Sequence, residues 1–243
     1  SEPADFDGRF DTSADSLSAT LAGPYVNLND AQSDRAQLMF DLSAGRSDLL
    51  WTANNAPLPQ LDAWYYVHRA IGLGQALTPD ITWLYEPLTV NVNVEDPYGC
   101  NAFYDFESLN FYAASKTCNN TARIFDIVAH EWGHGYHKAL SIKGINAYDL
   151  SEGASEYWDA TLTGDAHLGK GFTRDGGFVR DLEVDKMFPD DIRGESHADG
   201  LIWAGALWDL RTLMMGKLGT VAGVRATDLL HARALRGGPT LES

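Results

Sequence analysis

Basic residues are scarce in this 243-residue sequence, where 18 Lys and Arg stand against 34 Asp and Glu for a formal charge of -16. So acidic a chain repels phosphate backbones and anionic headgroups, which excludes nucleic acid and membrane surfaces as expected partners. Long apolar runs are missing as well. Nothing approaches the roughly 18 residues of a membrane-spanning helix, and the N-terminus SEPADFDGRF lacks an initiator methionine, a basic start and an apolar core. A signal or pro-segment is therefore expected to have been removed or to lie outside this sequence. Internal repeats are absent. Cysteine is nearly so: Cys100 and Cys118 are the only two, and they bracket NAFYDFESLNFYAASKT, a 17-residue stretch that reads as a hairpin. An even pair in an exported chain predicts a disulfide, whose closed loop contributes about 3 kcal/mol in the chain-entropy account. The expected location is extracellular.

What is present is enough to bury a core, with 44% hydrophobic and 11% aromatic residues arranged as one large domain or two lobes sharing a cleft. The first ~20 residues are Ser/Asp-rich and predict a loose entry segment. From Gln60 to Leu77 the apolar residues recur at helical spacing, with His68 reading as a core-edge residue rather than a ligand. LTVNVNV, Leu88 to Val94, alternates like a strand, and NAFYDF and LNFYAA supply two more short strands. Beyond Asn119 the pattern turns helical. One helix is predicted from Asn120 or Thr121 to Leu140 with Gly144 just past it, and a second from Ser151 to Gly164. A third runs from near Ser196 to Leu218, and a fourth from Thr227 or Asp228 to Gly237 and Gly238. The predicted class is α+β, a β-rich N-terminal lobe over residues 1–128 and a mainly helical lobe over 129–243, the latter short or incomplete. The acidic clusters DLEVD and FPDDIRGE can hold calcium, but such runs read first as solvated faces.

The stretch VAHEWGHGYHKAL, Val128 to Leu140, carries the chemistry. Residues four apart share a helix face at about 5–6 Å, so His130 and His134 can aim both imidazoles at one point, as two zinc ligands must. Glu131, turned about 100° away, borders that point and can take a proton from a water activated there. A chance match has a probability of about one per cent in a chain this size, so the motif is strong without being decisive. A catalytic zinc wants three protein ligands and one open position. His137 is one turn further on, yet three ligands on consecutive turns would span about 10 Å, too far for bonds near 2 Å. Glu152, on a second helix packed antiparallel, fits better, and Glu156 on the same face can accept a hydrogen bond from a ligand histidine. Gly133 and Gly135 each cost about 1 kcal/mol in a helix interior, which predicts close packing of a neighbouring element or substrate around His134.

With DIVAHEWGH followed by SEGASE, the chain resembles the gluzincin metallopeptidases, particularly the thermolysin-like and fungalysin-like secreted endopeptidases. CNAFYDF is similar to their substrate-pairing edge strand, ESHADGLIWAGALWDL to the helix carrying their catalytic histidine, and WYYVHRAIGLG with PLTVNVNV to a fungalysin-type N-terminal lobe. The resemblance covers most of the chain and implies a two-lobed zincin fold. It further implies one zinc on His130, His134 and Glu152, Glu131 as general base, His197 as stabiliser of the oxyanion, and Asn101 and Ala102 holding substrate main chain. Asp126, one turn before His130, matches a calcium-binding aspartate of the thermolysin-like enzymes, which makes calcium a candidate second cofactor.

Several positions depart from the family pattern. Glu156 stands where an aspartate is usual. Ile192 occupies the place of the aspartate that orients the catalytic histidine, so Asp191, Asp190 or Glu195 must substitute. Tyr148 is the one candidate for a second oxyanion donor, in a shifted position, and the clamp for a substrate carbonyl is Arg180, Arg193 or neither. The implied reaction is hydrolysis of internal peptide bonds. Two rivals are a gluzincin aminopeptidase, whose glycine-x-methionine-glutamate-asparagine motif does not occur here, and a non-catalytic domain that uses zinc only for stability.

Overall fold

The computed structural model describes residues 13–43, 50–95, 99–141 and 148–237, without the side chains of Tyr148 and Asp149. In chain order the described elements are strands β1 (Ser16–Thr20), β2 (Val26–Asp30) and β3 (Gln37–Asp41), helix α1 (Leu58–Leu77), and strands β4 (Leu88–Val94), β5 (Ala102–Tyr104) and β6 (Ser108–Tyr112). Helices α2 (Phe125–Leu140) and α3 (Tyr148–Thr163), the short strands β7 (His167–Leu168) and β8 (Arg180–Asp181), and helices α4 (Ser196–Leu218) and α5 (Thr220–Gly237) follow. The class is α+β, as the sequence predicts.

The main sheet runs β2-β4-β6-β5, with β2, β4 and β6 parallel and β5 antiparallel at the edge. Alternation explains its two faces: Leu88, Val90 and Val92 of β4 are buried while Thr89 and Asn91 between them are half-buried. Against the sheet lies α1, burying Ala63, Val67, Ala70 and Ile71. Next comes α2, whose Trp132 and Tyr136 are wholly buried beside Trp158 of α3. Burial of each such ring contributes about 2–3 kcal/mol, so the helix carrying the histidine motif is anchored on its apolar side. One buried cluster reaches from Leu21 to Leu235. The expected boundary at 128/129 falls inside α2, and that one cluster holds residues from both sides of it.

Glycine lets these helices approach closely. A Cβ on Gly133 would stand 2.9 Å from the Ser155 backbone of α3, and one on Gly135 2.6 Å from the Trp83 ring. The helical penalty of the two glycines is thus offset by packing on either side of His134. The Cys100–Cys118 disulfide is formed and ties the start of β5 to the segment before α2.

Several boundaries shift, among them α3, which starts at Tyr148 rather than Ser151. A single 3-10 turn occupies Thr121–Arg123 and Ile124 is extended, so α2 starts at Phe125 rather than at 120 or 121. The helix expected from Thr227 starts at Thr220, directly after Gly219 at φ 82° ends α4. Residues 16–20, expected to be loose, pair with β3. Gly144 and Gly238 lie outside the described residues.

Candidate metal centre

Two turns of α2 and one of α3 build the site. His130 and His134 sit one turn apart on α2, and their Nε2 atoms are 3.2 Å apart. Because α3 runs antiparallel to α2, Glu152 arrives opposite, its Oε2 3.2 Å from His130 Nε2 and 3.6 Å from His134 Nε2. A tetrahedral zinc with bonds of 2.0–2.1 Å needs ligand atoms separated by about 3.3–3.4 Å. The triangle has that size. Among the described residues no fourth joins these three within 4.8 Å, which leaves one corner of a tetrahedron open.

Two of the three groups carry the electrostatics of ligands, while His130 is raised against its burial by a hydrogen bond to Glu152 and the charges of Glu156 and Glu131. Burial pulls the His134 imidazole down to about 3, so it is neutral with a free lone pair. Burial would raise the Glu152 carboxyl, but a hydrogen bond to His130 and the charge of that ring hold it down to about 2. Its Oε2 is buried without a satisfactory hydrogen-bond donor, an arrangement that is costly unless a cation completes it. The Nδ1 of His134 lies 2.9 Å from Ser151 Oγ. That hydroxyl accepts the Nδ1 proton and turns Nε2 toward the shared point; sequence reasoning used Ser151 only as a helix start.

Glu131 is buried next to this point, and burial pushes its carboxyl up to about 7, the range of a general base at neutral pH. A backbone hydrogen bond from Tyr104 reaches it. Tyr104 belongs to β5, and the antiparallel pattern explains its availability. Residues 101, 103 and 105 face β6, as shown by Tyr112 N–H on the Asn101 carbonyl and Asp105 N–H on Ser108. Ala102 and Tyr104 therefore turn their main-chain groups to the free edge. The Asn101 carbonyl also accepts Thr121 Oγ1 and is fully occupied, which leaves its exposed side chain. Beside the strand lies a cavity of about 350 Å³ lined by Trp83, Tyr104, Phe106 and Gly135.

His197 stands in the first turn of α4 with Nε2 3.3 Å from Glu152 Oε2. The residue that orients it is Glu195, not Asp191. Glu195 Oε1 is 2.9 Å from His197 Nδ1, while as the N-cap of α4 its carboxylate also takes the His197 and Ala198 amides. The cap position fixes that carboxylate beside the ring. Asp191 instead accepts Met187 N–H at 2.9 Å and lies 3.4 Å from Arg193 Nη2. Glu156 also departs from expectation: its Oε1 is 3.9 Å from His130 Nδ1, too long for a hydrogen bond, and 2.9 Å from Arg180 Nε. Arg180 thus neutralises Glu156, and Arg193 is exposed. His137 is buried outside the ligand triangle.

Asp126 spends its carboxylate on the amides of Lys170 and Gly169, and no group of three ligands includes it among the described residues. Tyr148 opens α3 by its backbone, and its side chain lies outside what is described.

No protein-family profile matches the chain, and no curated protein matches it. Among solved structures 22 chains match. One is the precursor of protealysin, a metalloproteinase from Serratia proteamaculans, at a TM-score of 0.59 and 14% identity over 89% of this chain and 86% of that one. The chain therefore shares its fold with a metalloproteinase precursor, and its His130, His134 and Glu152 can together hold a metal ion.

Proposed function

We propose that this chain is a secreted, zinc-dependent endopeptidase. The observation that carries the reading is the 3.2–3.6 Å triangle of His130, His134 and Glu152 with a buried glutamate beside it. Zinc bound there supplies a Lewis acid that polarises a peptide carbonyl and brings the pKa of a water toward ~7.

The protein's own residues supply the rest. A peptide adds as a strand along β5, pairing with the main chain of Ala102 and the carbonyl of Tyr104 and meeting the Asn101 side chain at the strand's end. Glu131 accepts the proton of the attacking water and passes it to the leaving amine. His197, its Nδ1 held beside Glu195 Oε1, directs Nε2 at the developing oxyanion. Loss of one such donor costs about 100- to 1,000-fold in turnover. Tyr148 is the proposed second donor. A strand-edge mode of binding selects extended peptide over folded protein, and an N-terminal pro-segment is the proposed control of latency.

The test is metal analysis of the purified chain coupled to hydrolysis of an internally quenched peptide library with blocked ends, with and without chelator. Glu131→Gln is expected to keep zinc and lose hydrolysis, whereas His134→Ala loses both. A fully active glutamine variant overturns the proposal.

A further inference from the structure

We infer that the β7–β8 hairpin carries a second, solvent-open site for a divalent transition-metal ion, built from His167, Asp181 and Glu183. It shares no residue with the triangle on α2 and α3 and does not depend on the peptidase reading. Strand register brings the residues together. His167 of β7 pairs directly with Asp181 of β8, and Glu183, two residues on, is drawn back because its amide donates to Asp181 Oδ1 at 2.9 Å. His167 Nε2 is 3.9 Å from Asp181 Oδ2, and one ligand atom from each of the three residues lies within 4.8 Å of the others.

The histidine is prepared for a metal. Its Nδ1 lies 3.3 Å from Asp165 Oδ1, the same oxygen that accepts the His167 amide at 3.0 Å. Asp165 is itself held through its other oxygen by the Lys170 ammonium. A carboxylate fixed on Nδ1–H sets the tautomer with its lone pair on Nε2, facing Asp181 and Glu183. The Phe178 ring, with centroids 4.7 Å apart, limits rotation of the imidazole. A solvated run of charge would supply the carboxylates of DLEVD but not an oriented imidazole opposite them. One nitrogen and two carboxylates select zinc or manganese over calcium, which takes six to eight oxygens. Side-chain exposures of 34% for His167 and 26% for Asp181 leave room for water in the remaining positions, so the ion exchanges freely. Its effect is to clip β7 to the segment that leads on to Glu195 and His197.

Zinc binding by the full chain, measured by equilibrium dialysis with metal analysis, tests this directly. Wild type is expected to bind two ions, His167→Ala one, His134→Ala one, and the double variant none. Asp165→Asn keeps all three ligands and should weaken the hairpin ion by about 10- to 100-fold, and Glu183→Gln, at an exposed position, guards against a folding defect in His167→Ala. If His134→Ala binds no zinc, or His167→Ala and Glu183→Gln bind as much as wild type, the hairpin site is refuted while the first centre stands. If His167→Ala binds none, the first centre fails instead.

Discussion

Gly153→Ala perturbs the crossing that brings His197 to Glu152. Gly153 follows Glu152 on α3, and a Cβ there would meet the Gly200 carbonyl oxygen of α4 at 2.4 Å and the Trp203 Cβ at 3.0 Å. Real Cβ atoms essentially never stand closer than 3.0 Å and sit comfortably from 3.4 Å, so the helices must part by about 0.6–1.0 Å. The obstacle is backbone, which cannot rotate away. His197 rides on α4 three residues before Gly200, with its Nε2 3.3 Å from Glu152 Oε2. Misplacement near 1 Å costs about 100-fold in rate, and the overpacking itself costs about 1–3 kcal/mol of stability. Steady-state hydrolysis of a quenched peptide, zinc content and urea melts separate the two effects. The variant is expected to stay folded and zinc-loaded, with KM near wild type and kcat lowered about 10- to 100-fold. A variant with reduced stability and unchanged kcat would refute the reasoning, because the crossing would then serve packing alone.

Two further outcomes follow from buried titrating groups. Glu131 must be ionised to accept a proton and burial raises it to about 7, so kcat/KM should fall on acidification with a pKa at or below that value, a bound cation moving it lower. Activity that climbs toward acid pH contradicts the assignment. His231, wholly buried among Tyr157, Trp158 and Trp203, is pulled from 6.5 to about 3 by burial. The unfolded chain takes up a proton that the folded chain refuses, so this contribution is full above pH 6.5 and is lost as pH falls toward 3. At pH 5 the loss is about 2 kcal/mol. Urea melts of His231→Phe should show the acid slope reduced by that amount, and an unchanged slope would assign it to other groups.

Regular burial made several elements legible in the sequence. α4 matches its expected span, β4 matches residue for residue, and α1 begins two residues early. The strands β1, β2 and β3 were not legible: they are short and polar, and Val26 finds its partner Leu88 across most of the N-terminal half. α5 starts before the expected Thr227, and a Cβ on Gly223 in its first turns would stand 2.4 Å from the Met215 backbone, so close packing against α4 demands that glycine. At the site, His130, Glu131 and His134 follow from local helix geometry, and Glu152 from the antiparallel neighbour. The Ser151 contact depends on how α3 packs on α2 and the pairing of Arg180 with Glu156 on how β8 returns to α3, neither of which a local pattern encodes, whereas Glu195 stands two residues before His197 as a local N-cap.

The most direct measurement is an anomalous-difference map of the crystalline protein recorded at the zinc absorption edge. A peak about 2.0–2.2 Å from His130 Nε2, His134 Nε2 and Glu152 Oε2, with only solvent at the fourth corner, is the predicted result. Density absent from that triangle, or a fourth protein side chain closing it, would contradict the account.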